Sequence, residues 1–153
     1  MKIIQATPSH LVEAELLLKE YYEAVDVMKR DTPAAIADYL SDDSSGLWIA
    51  YVDDLPAGCV VLRPLPRIEA ATECKRLYVR PQFRGRGIAE ALLDAMEEYA
   101  LKRSAEWVYL DSKDDLKDAL RIYIRRGYQP CERYNDNPQA TVFLRKKLSF
   151  DAS

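Results

Sequence analysis

Histidine is almost missing from this chain: His10 is the only one. It stands at the start of a predicted helix, which argues against a histidine-based metal centre and against a Ser-His-Asp triad. Cysteine is scarce as well. Cys59, Cys74 and Cys131 are odd in number and far apart, which points to free thiols in a reducing compartment rather than a disulfide framework or a zinc site. No apolar run approaches the ~20 residues of a membrane span. The first residues, Met1 to Pro8, lack the apolar stretch of a secretion signal. The expectation is a cytoplasmic chain with no metal and no membrane partner. Excess charge of either sign is also lacking. The net charge of −3 does not favour bulk nucleic-acid binding, and the short run Arg84-Gly85-Arg86-Gly87 is no RNA-binding tract.

Glycine is sparse too, with five in 153 residues. Two of them share the stretch Val79-Arg80-Pro81-Gln82-Phe83-Arg84-Gly85-Arg86-Gly87-Ile88-Ala89. An apolar strand ends at Val79, Pro81 breaks it, and an amphipathic pattern starts directly after Gly87. Glycines let the backbone approach a ligand closely, and a helix start presents unpaired N–H groups with a favourable dipole. The loop therefore reads as a site for the pyrophosphate of a nucleotide-containing cofactor. Lys75, Arg76, Arg80, Arg84 and Arg86 form an acid-free basic segment around it, which suits one anionic ligand. It is not a dinucleotide fingerprint: the third glycine and the acidic ribose residue are missing.

The remaining pattern is that of one domain over 1–153, with a mixed sheet and helices on both faces, in the order β-αα-βββ-α-β-α-ββ. Residues 2–6 read as a strand, followed by a helix through about Val27 with Leu11, Ala14, Glu15, Leu18 and Tyr22 at helical spacing. Thr32 and Pro33 open a second short helix. Residues 47–52 and 57–65 form a hairpin that falters at Pro64 and Pro66. In the strand over 71–79, alternation puts Glu73, Lys75, Leu77 and Val79 on one face and Cys74, Arg76 and Tyr78 on the other. The helix after the loop carries Ile88, Leu92, Ala95, Met96 and Tyr99 inward, with Glu90, Asp94, Glu97 and Glu98 off the stripe. After a strand at 107–110, Ser112 is expected to cap a helix that buries Leu116, Ala119, Leu120, Tyr123 and Ile124 and ends at Gly127. Two strands, 128–134 and 140–148, close the chain.

Three segments in this order carry a resemblance: Glu73-Cys74-Lys75-Arg76-Leu77-Tyr78-Val79-Arg80-Pro81, then Gln82-x-x-Gly85-x-Gly87, and Ala119-Leu120-Arg121-Ile122-Tyr123-Ile124-Arg125-Arg126-Gly127-Tyr128. Together they are similar to the Gcn5-related N-acetyltransferase superfamily, over nearly the whole chain. The resemblance implies that fold, with six to seven strands, a splay between strands four and five, and acetyl-CoA as donor. It places Gln82, Arg84, Gly85, Arg86, Gly87, Ile88 and Ala89 at the pyrophosphate. It places the backbone of Leu77 and Val79 along the pantetheine arm, and that of Leu77–Tyr78 at the thioester carbonyl. It makes Tyr123 the general acid for the departing thiol and Glu73 the candidate general base, with Glu69 a weaker substitute. Where the family often has Asn, seven residues before this tyrosine, the chain has Leu116, which puts one side-chain contact to the arm in doubt.

The acceptor pocket is expected among the first two helices, strand three and the last hairpin, with Tyr21, Tyr22, Arg63, Tyr134 and Asn137 as its residues. The implied function is direct acetyl transfer to the primary amine of a small or amino-acid-like molecule. A protein or peptide acetyltransferase is a variant of this reading. A non-catalytic acyl-CoA-binding regulatory module is the alternative of another class. A homodimer is consistent with the superfamily.

Overall fold

A computed structural model describes residues 1–149. The elements run β1 (Lys2–Gln5), α1 (Leu11–Ala24), α2 (Pro33–Ser41), β2 (Gly46–Val52), β3 (Leu55–Pro64), β4 (Ala71–Val79), α3 (Ile88–Lys102), β5 (Trp107–Ser112), α4 (Lys117–Arg125), β6 (Gln129–Pro130) and β7 (Val142–Lys147). They form a seven-stranded sheet in the order β1-β2-β3-β4-β5-β7-β6. All neighbouring pairs are antiparallel except β4–β5. The α/β order expected from the sequence is the one observed.

Local chemistry explains the joints. Asp53 and Asp54 both take left-handed φ values, 51° and 64°, as the tight β2–β3 hairpin turn requires. Thr32 caps α2 by accepting from the Ala35 N–H at 3.1 Å, with Pro33 at the first helical position. Gly127, at φ 96°, ends α4. One apolar cluster lies under α1 and α2, built on Leu17, Leu18, Ile49, Cys59 and Val61. The other lies under α3 and α4, built on Leu62, Leu92, Leu93, Met96 and Val108.

Several local expectations are corrected. Ser112 belongs to β5 and caps nothing; α4 begins at Lys117 with no side-chain cap. In α4, Tyr123 is buried, but Ile124 is 63% exposed. The penultimate strand is only Gln129–Pro130. Glu97 is buried, not off the apolar stripe. It accepts from Tyr128 Oη at 2.9 Å and Lys146 Nζ at 2.6 Å, and pairs with Arg126 at 3.1 Å.

The most consequential correction lies in β4. Cys59 pairs with Tyr78 and Val61 with Lys75, so Val60 opposes both Arg76 and Leu77. This is a β-bulge, with Arg76 at φ 60°. The bulge breaks the alternation. Lys75 and Arg76 both reach groups on the α1/α2 side, and Leu77 and Val79 pack on the α3/α4 side, opposite Tyr78.

Candidate active site

The parallel β4–β5 ladder pairs only Ala71–Trp107, Thr72–Val108 and Glu73–Tyr109. Beyond it β4 stays with β3 and β5 stays with β7, so the sheet opens as a fork. On β4, the Arg80 N–H donates to Ala57 O at 2.8 Å. The antiparallel alternation then turns Val79 away from β3 and toward the gap. The Val79 carbonyl there accepts from Arg84 Nε at 3.0 Å. Gly58 lets β3 approach: a Cβ added there would lie 2.6 Å from Tyr78 O.

The glycine loop leaves β4 at this point. Gly85 and Gly87 hold φ of 80° and 76°, a region that penalises side chains. A Cβ added at either would meet nothing within 4 Å. Among the described residues, no backbone hydrogen bond engages the N–H groups from Gly85 to Glu90. Ala91, bonded to Gly87 O, is the first residue of α3 to be satisfied. A run of free donors in front of open space at the N-terminus of a four-turn helix fits an anionic group.

The basic segment divides. Arg80 pairs with Glu20 at 3.1 Å, and Arg76 with Asp31 at 3.1 Å. Lys75 lies 3.9 Å from Glu73 and 3.7 Å from Asp111. Arg84 and Arg86 alone of the five have no acidic partner among the described residues, and Arg86 lies over the Phe83 ring at 5.6 Å. The charge left for an anion is therefore on the loop itself.

At the apex of the fork sits a polar cluster. Glu73 is 2% exposed. Its Oε1 accepts from Arg63 Nε at 2.8 Å, and its Oε2 accepts from Tyr134 Oη at 2.7 Å and Asn135 Nδ2 at 3.2 Å. Both oxygens are thus engaged. Asp111 stands beyond the last rung of the ladder, on β5. Its Oδ2 accepts from Asn135 Nδ2 at 2.7 Å and Asn137 Nδ2 at 3.3 Å. Burial, and then the neighbouring Glu73 carboxylate, push the Tyr134 phenol far above its ordinary value, so it donates to Glu73 at any physiological pH.

Tyr123 of α4 is buried, with its ring edge-on to Tyr128 at 5.7 Å. Burial, with Cys74, Tyr21 and Asp111 nearby, raises its phenol well above the ordinary value. It is therefore a protonated hydroxyl at neutral pH, able to donate.

Of the residues named for the acceptor side, Arg63, Tyr134 and Asn137 converge on the Glu73–Asp111 cluster, and Tyr21 lies near it. Tyr22 does not. It is buried between α1 and α2, where its hydroxyl donates to Asp31 at 2.9 Å. Asp111 and Asn135 were missed. Asn135 sits in a stretch that turn chemistry alone accounts for, and Asp111 follows an apolar strand in a position that reads as its end. One signal was available: the alternation that buries Val108 and Leu110 puts Tyr109 and Asp111 together on the opposite face.

A family model described as the acetyltransferase (GNAT) family matches residues 12–128. The chain belongs to the GNAT acetyltransferase family. Membership makes it an acyltransferase that uses an acyl-CoA donor. An uncharacterized N-acetyltransferase of Schizosaccharomyces pombe is 28% identical over 149 residues, covering 93% of this chain and 91% of the relative. N-acetyltransferase 8B of Rattus norvegicus is 29% identical over 99 residues, covering 63% of this chain and 45% of the relative, so the chain matches less than half of that protein. Among solved structures, a GNAT-family acetyltransferase from Staphylococcus aureus superposes with a TM-score of 0.81 at 18% identity, covering 97% of this chain and 99% of that one. At that identity the likeness is one of GNAT fold. Among the described residues no helix is long and apolar enough to cross a membrane.

Proposed function

We propose that this GNAT protein transfers an acetyl group from acetyl-CoA to the primary amine of a small or amino-acid-like acceptor, by direct attack. The observation that carries the reading is the fork itself: β4 and β5 part after Glu73–Tyr109, with free loop donors along one side and a carboxylate cluster at the apex.

Acetyl-CoA would supply an acyl thioester. The residues to hold it are the loop donors from Gly85 to Ala89, with Gln82, Arg84 and Arg86, and the β4 backbone from Leu77 to Val79, where the Val79 N–H, turned away from β3, is available to a polarised carbonyl. Tyr123 would donate its hydroxyl proton toward the sulfur end of the fork and recover one from the reacting nitrogen. The acceptor ammonium loses two protons in all, one to the departing thiol and one to solvent through the carboxylate side. Cys59 and Cys74 are poor acyl carriers: burial pushes both thiols far up, Cys59 to about 12, which disfavours the thiolate at neutral pH.

The acyl-CoA-binding regulatory module stays as a second reading because both Glu73 oxygens are engaged by Arg63, Tyr134 and Asn135. Thiol release measured with acetyl-CoA across amine, amino-acid and peptide acceptors tests the two. Turnover confined to small amines supports the transferase. Preference for peptides moves the reading to a protein acetyltransferase. CoA binding without thiol release from any acceptor supports the module.

A further inference from the structure

Among the described residues, six other than glycine take a left-handed φ. Five of them, Asp26, Asp53, Asp54, Ala70 and Ser104, lie in connections between elements. Arg76, at φ 60°, lies inside β4. Glycine would sit there without strain, and a long side chain does not. Backbone strain of this kind persists only where the surroundings over-determine it.

The side chain of Arg76 supplies that constraint. It is 10% exposed. Its Nε donates to Asp31 Oδ2 at 3.1 Å and its Nη2 to Oδ1 at 3.3 Å, a two-pronged pair, and Nη2 also reaches Lys29 O at 3.4 Å. The guanidinium lies over the rings of Tyr22 and Tyr21, at 5.3 and 5.7 Å. Asp31 is itself fixed from both helices: Tyr22 of α1 and Tyr39 of α2 donate to its two oxygens at 2.9 and 3.0 Å. A bulge in the middle of the sheet is thus pinned by its own side chain to the α1–α2 connection.

What the bulge changes follows from the ladder. Before it, the Leu65 N–H donates to Ala71 O at 3.3 Å. In an unbroken ladder the hydrogen-bonded pairs would recur every second residue: Arg63–Glu73, Val61–Lys75, Cys59–Leu77, Ala57–Val79. Beyond the bulge, however, the Arg80 N–H donates to Ala57 O at 2.8 Å, and Val79 stands opposite Gly58. The extra residue has shifted the alternation by one. It moves Val79 from the set that faces β3 to the set that faces the gap between β4 and β5.

We propose that Arg76 is a positioning residue for the acyl donor: its tie to Asp31 holds the bulge, and the bulge turns the Val79 N–H toward the thioester carbonyl. This rests on the acyl-transfer reading above, in which that N–H serves the carbonyl. It places the α1–α2 connection, through Asp31, among the elements that set the donor strand.

The test sets Arg76→Ala against Arg76→Gly. Both lose the guanidinium and every contact it makes, but only alanine is left with a strained backbone. Two quantities are measured: kcat in the thiol-release assay at saturating acetyl-CoA and amine, and hydrogen exchange of the Val79 amide in the CoA-free protein, followed by NMR. In Arg76→Ala the bulge should give way. Its kcat should fall about tenfold, the population shift that the left-handed penalty supports, and the Val79 amide, now paired with β3, should exchange about tenfold more slowly. Arg76→Gly should bring both quantities back to within about threefold of wild type, the scatter of neutral changes. Equal changes in the two variants would show that the guanidinium acts by charge or packing. No change in Arg76→Ala would show that burial of Leu77, Tyr78 and Val79 keeps the bulge alone. Either result overturns the assignment. Should the unpaired Asp31 charge keep the single variants from folding, the same two are compared with Asp31→Asn added, which removes that charge and leaves the Tyr22 and Tyr39 hydroxyls an acceptor. A wild-type protein that binds CoA but releases no thiol with any amine overturns the transferase reading, and Val79 exchange then decides by itself whether Arg76 holds the bulge.

Discussion

Glu73 and Tyr109 form the last rung of the β4–β5 ladder. Below them the sheet is continuous. Above them β4 pairs only with β3, past the bulge at Arg76, and β5 only with β7, so the facing edges of the two strands carry unpaired backbone. Such backbone persists inside a fold only where water or a ligand can satisfy it. The same rung anchors the polar cluster, because Tyr134, which donates to Glu73, also packs edge-on against Tyr109 at 5.1 Å. The opening between the two strands and the polar cluster at its apex thus share one structural origin.

Tyr123→Phe tests the acid role. The ring stays, so packing against Tyr128 is kept and only the hydroxyl goes. Turnover should fall about 10²-fold, the usual contribution of a positioned acid, while CoA affinity stays near wild type. A kcat equal to wild type would make Tyr123 a packing residue.

Gly85→Val and Gly87→Val test the loop. The new side chains meet no protein atom, so the direct cost is backbone strain at positive φ, about 1–2 kcal/mol. The side chains would, however, enter the space in front of the free N–H groups. Calorimetry should show CoA affinity reduced more than tenfold, a larger effect than the stability change accounts for. Unchanged CoA affinity would remove the loop from the donor site.

The sequence announced the glycine loop because its chemistry is local: proline, glycine spacing and a helix start sit within a few residues. It announced Tyr123 only through family pattern, since a buried tyrosine on a helix has no signature of its own. The fork was not legible from residue types, because it depends on where β4 parts from a strand 36 positions away, and the Arg76 bulge was not, because the alternation of β4 can be read in either of two frames around an extra residue. Asp111 was hidden for a related reason. Its place in the polar cluster depends on Asn135 and Asn137, which fold back from the β6–β7 connection. Glu97 was misplaced because helical periodicity records which way a side chain points, not whether Tyr128 and Lys146 wait there to neutralise it.

Glu97→Ala tests that buried network. It leaves Lys146 without its 2.6 Å partner and Tyr128 Oη without an acceptor, while Arg126 keeps Asp94 at 2.8 Å. Breaking a buried pair from one side costs about 3 kcal/mol, which for a chain of this size is about 10 °C in melting temperature. A melting temperature within about two degrees of wild type would show that the network contributes nothing net, as happens with exposed pairs.

The Asp31 cluster should set part of the acid stability. Burial alone would raise this carboxyl. The Arg76 guanidinium outweighs that, aided by the Tyr22 and Tyr39 hydroxyls at 2.9 and 3.0 Å, and holds it below the usual carboxylate range. The folded pKa is the lower one, so the contribution is complete above the unfolded value of about 4 and is lost as pH falls through the folded value. Asp31→Asn removes the titration. Near pH 6 the variant should be less stable than wild type by about 3 kcal/mol, because Arg76 remains buried without its counter-charge. As pH drops from 5 toward 3 the wild type should lose stability faster than the variant, and the gap should narrow. Urea unfolding midpoints at pH 6 and pH 3 measure this directly. A gap that stays constant between the two would mean that Asp31 acts by shape and hydrogen bonding, both of which asparagine keeps, and that its charge does not hold the α1–α2 connection against the β4 bulge.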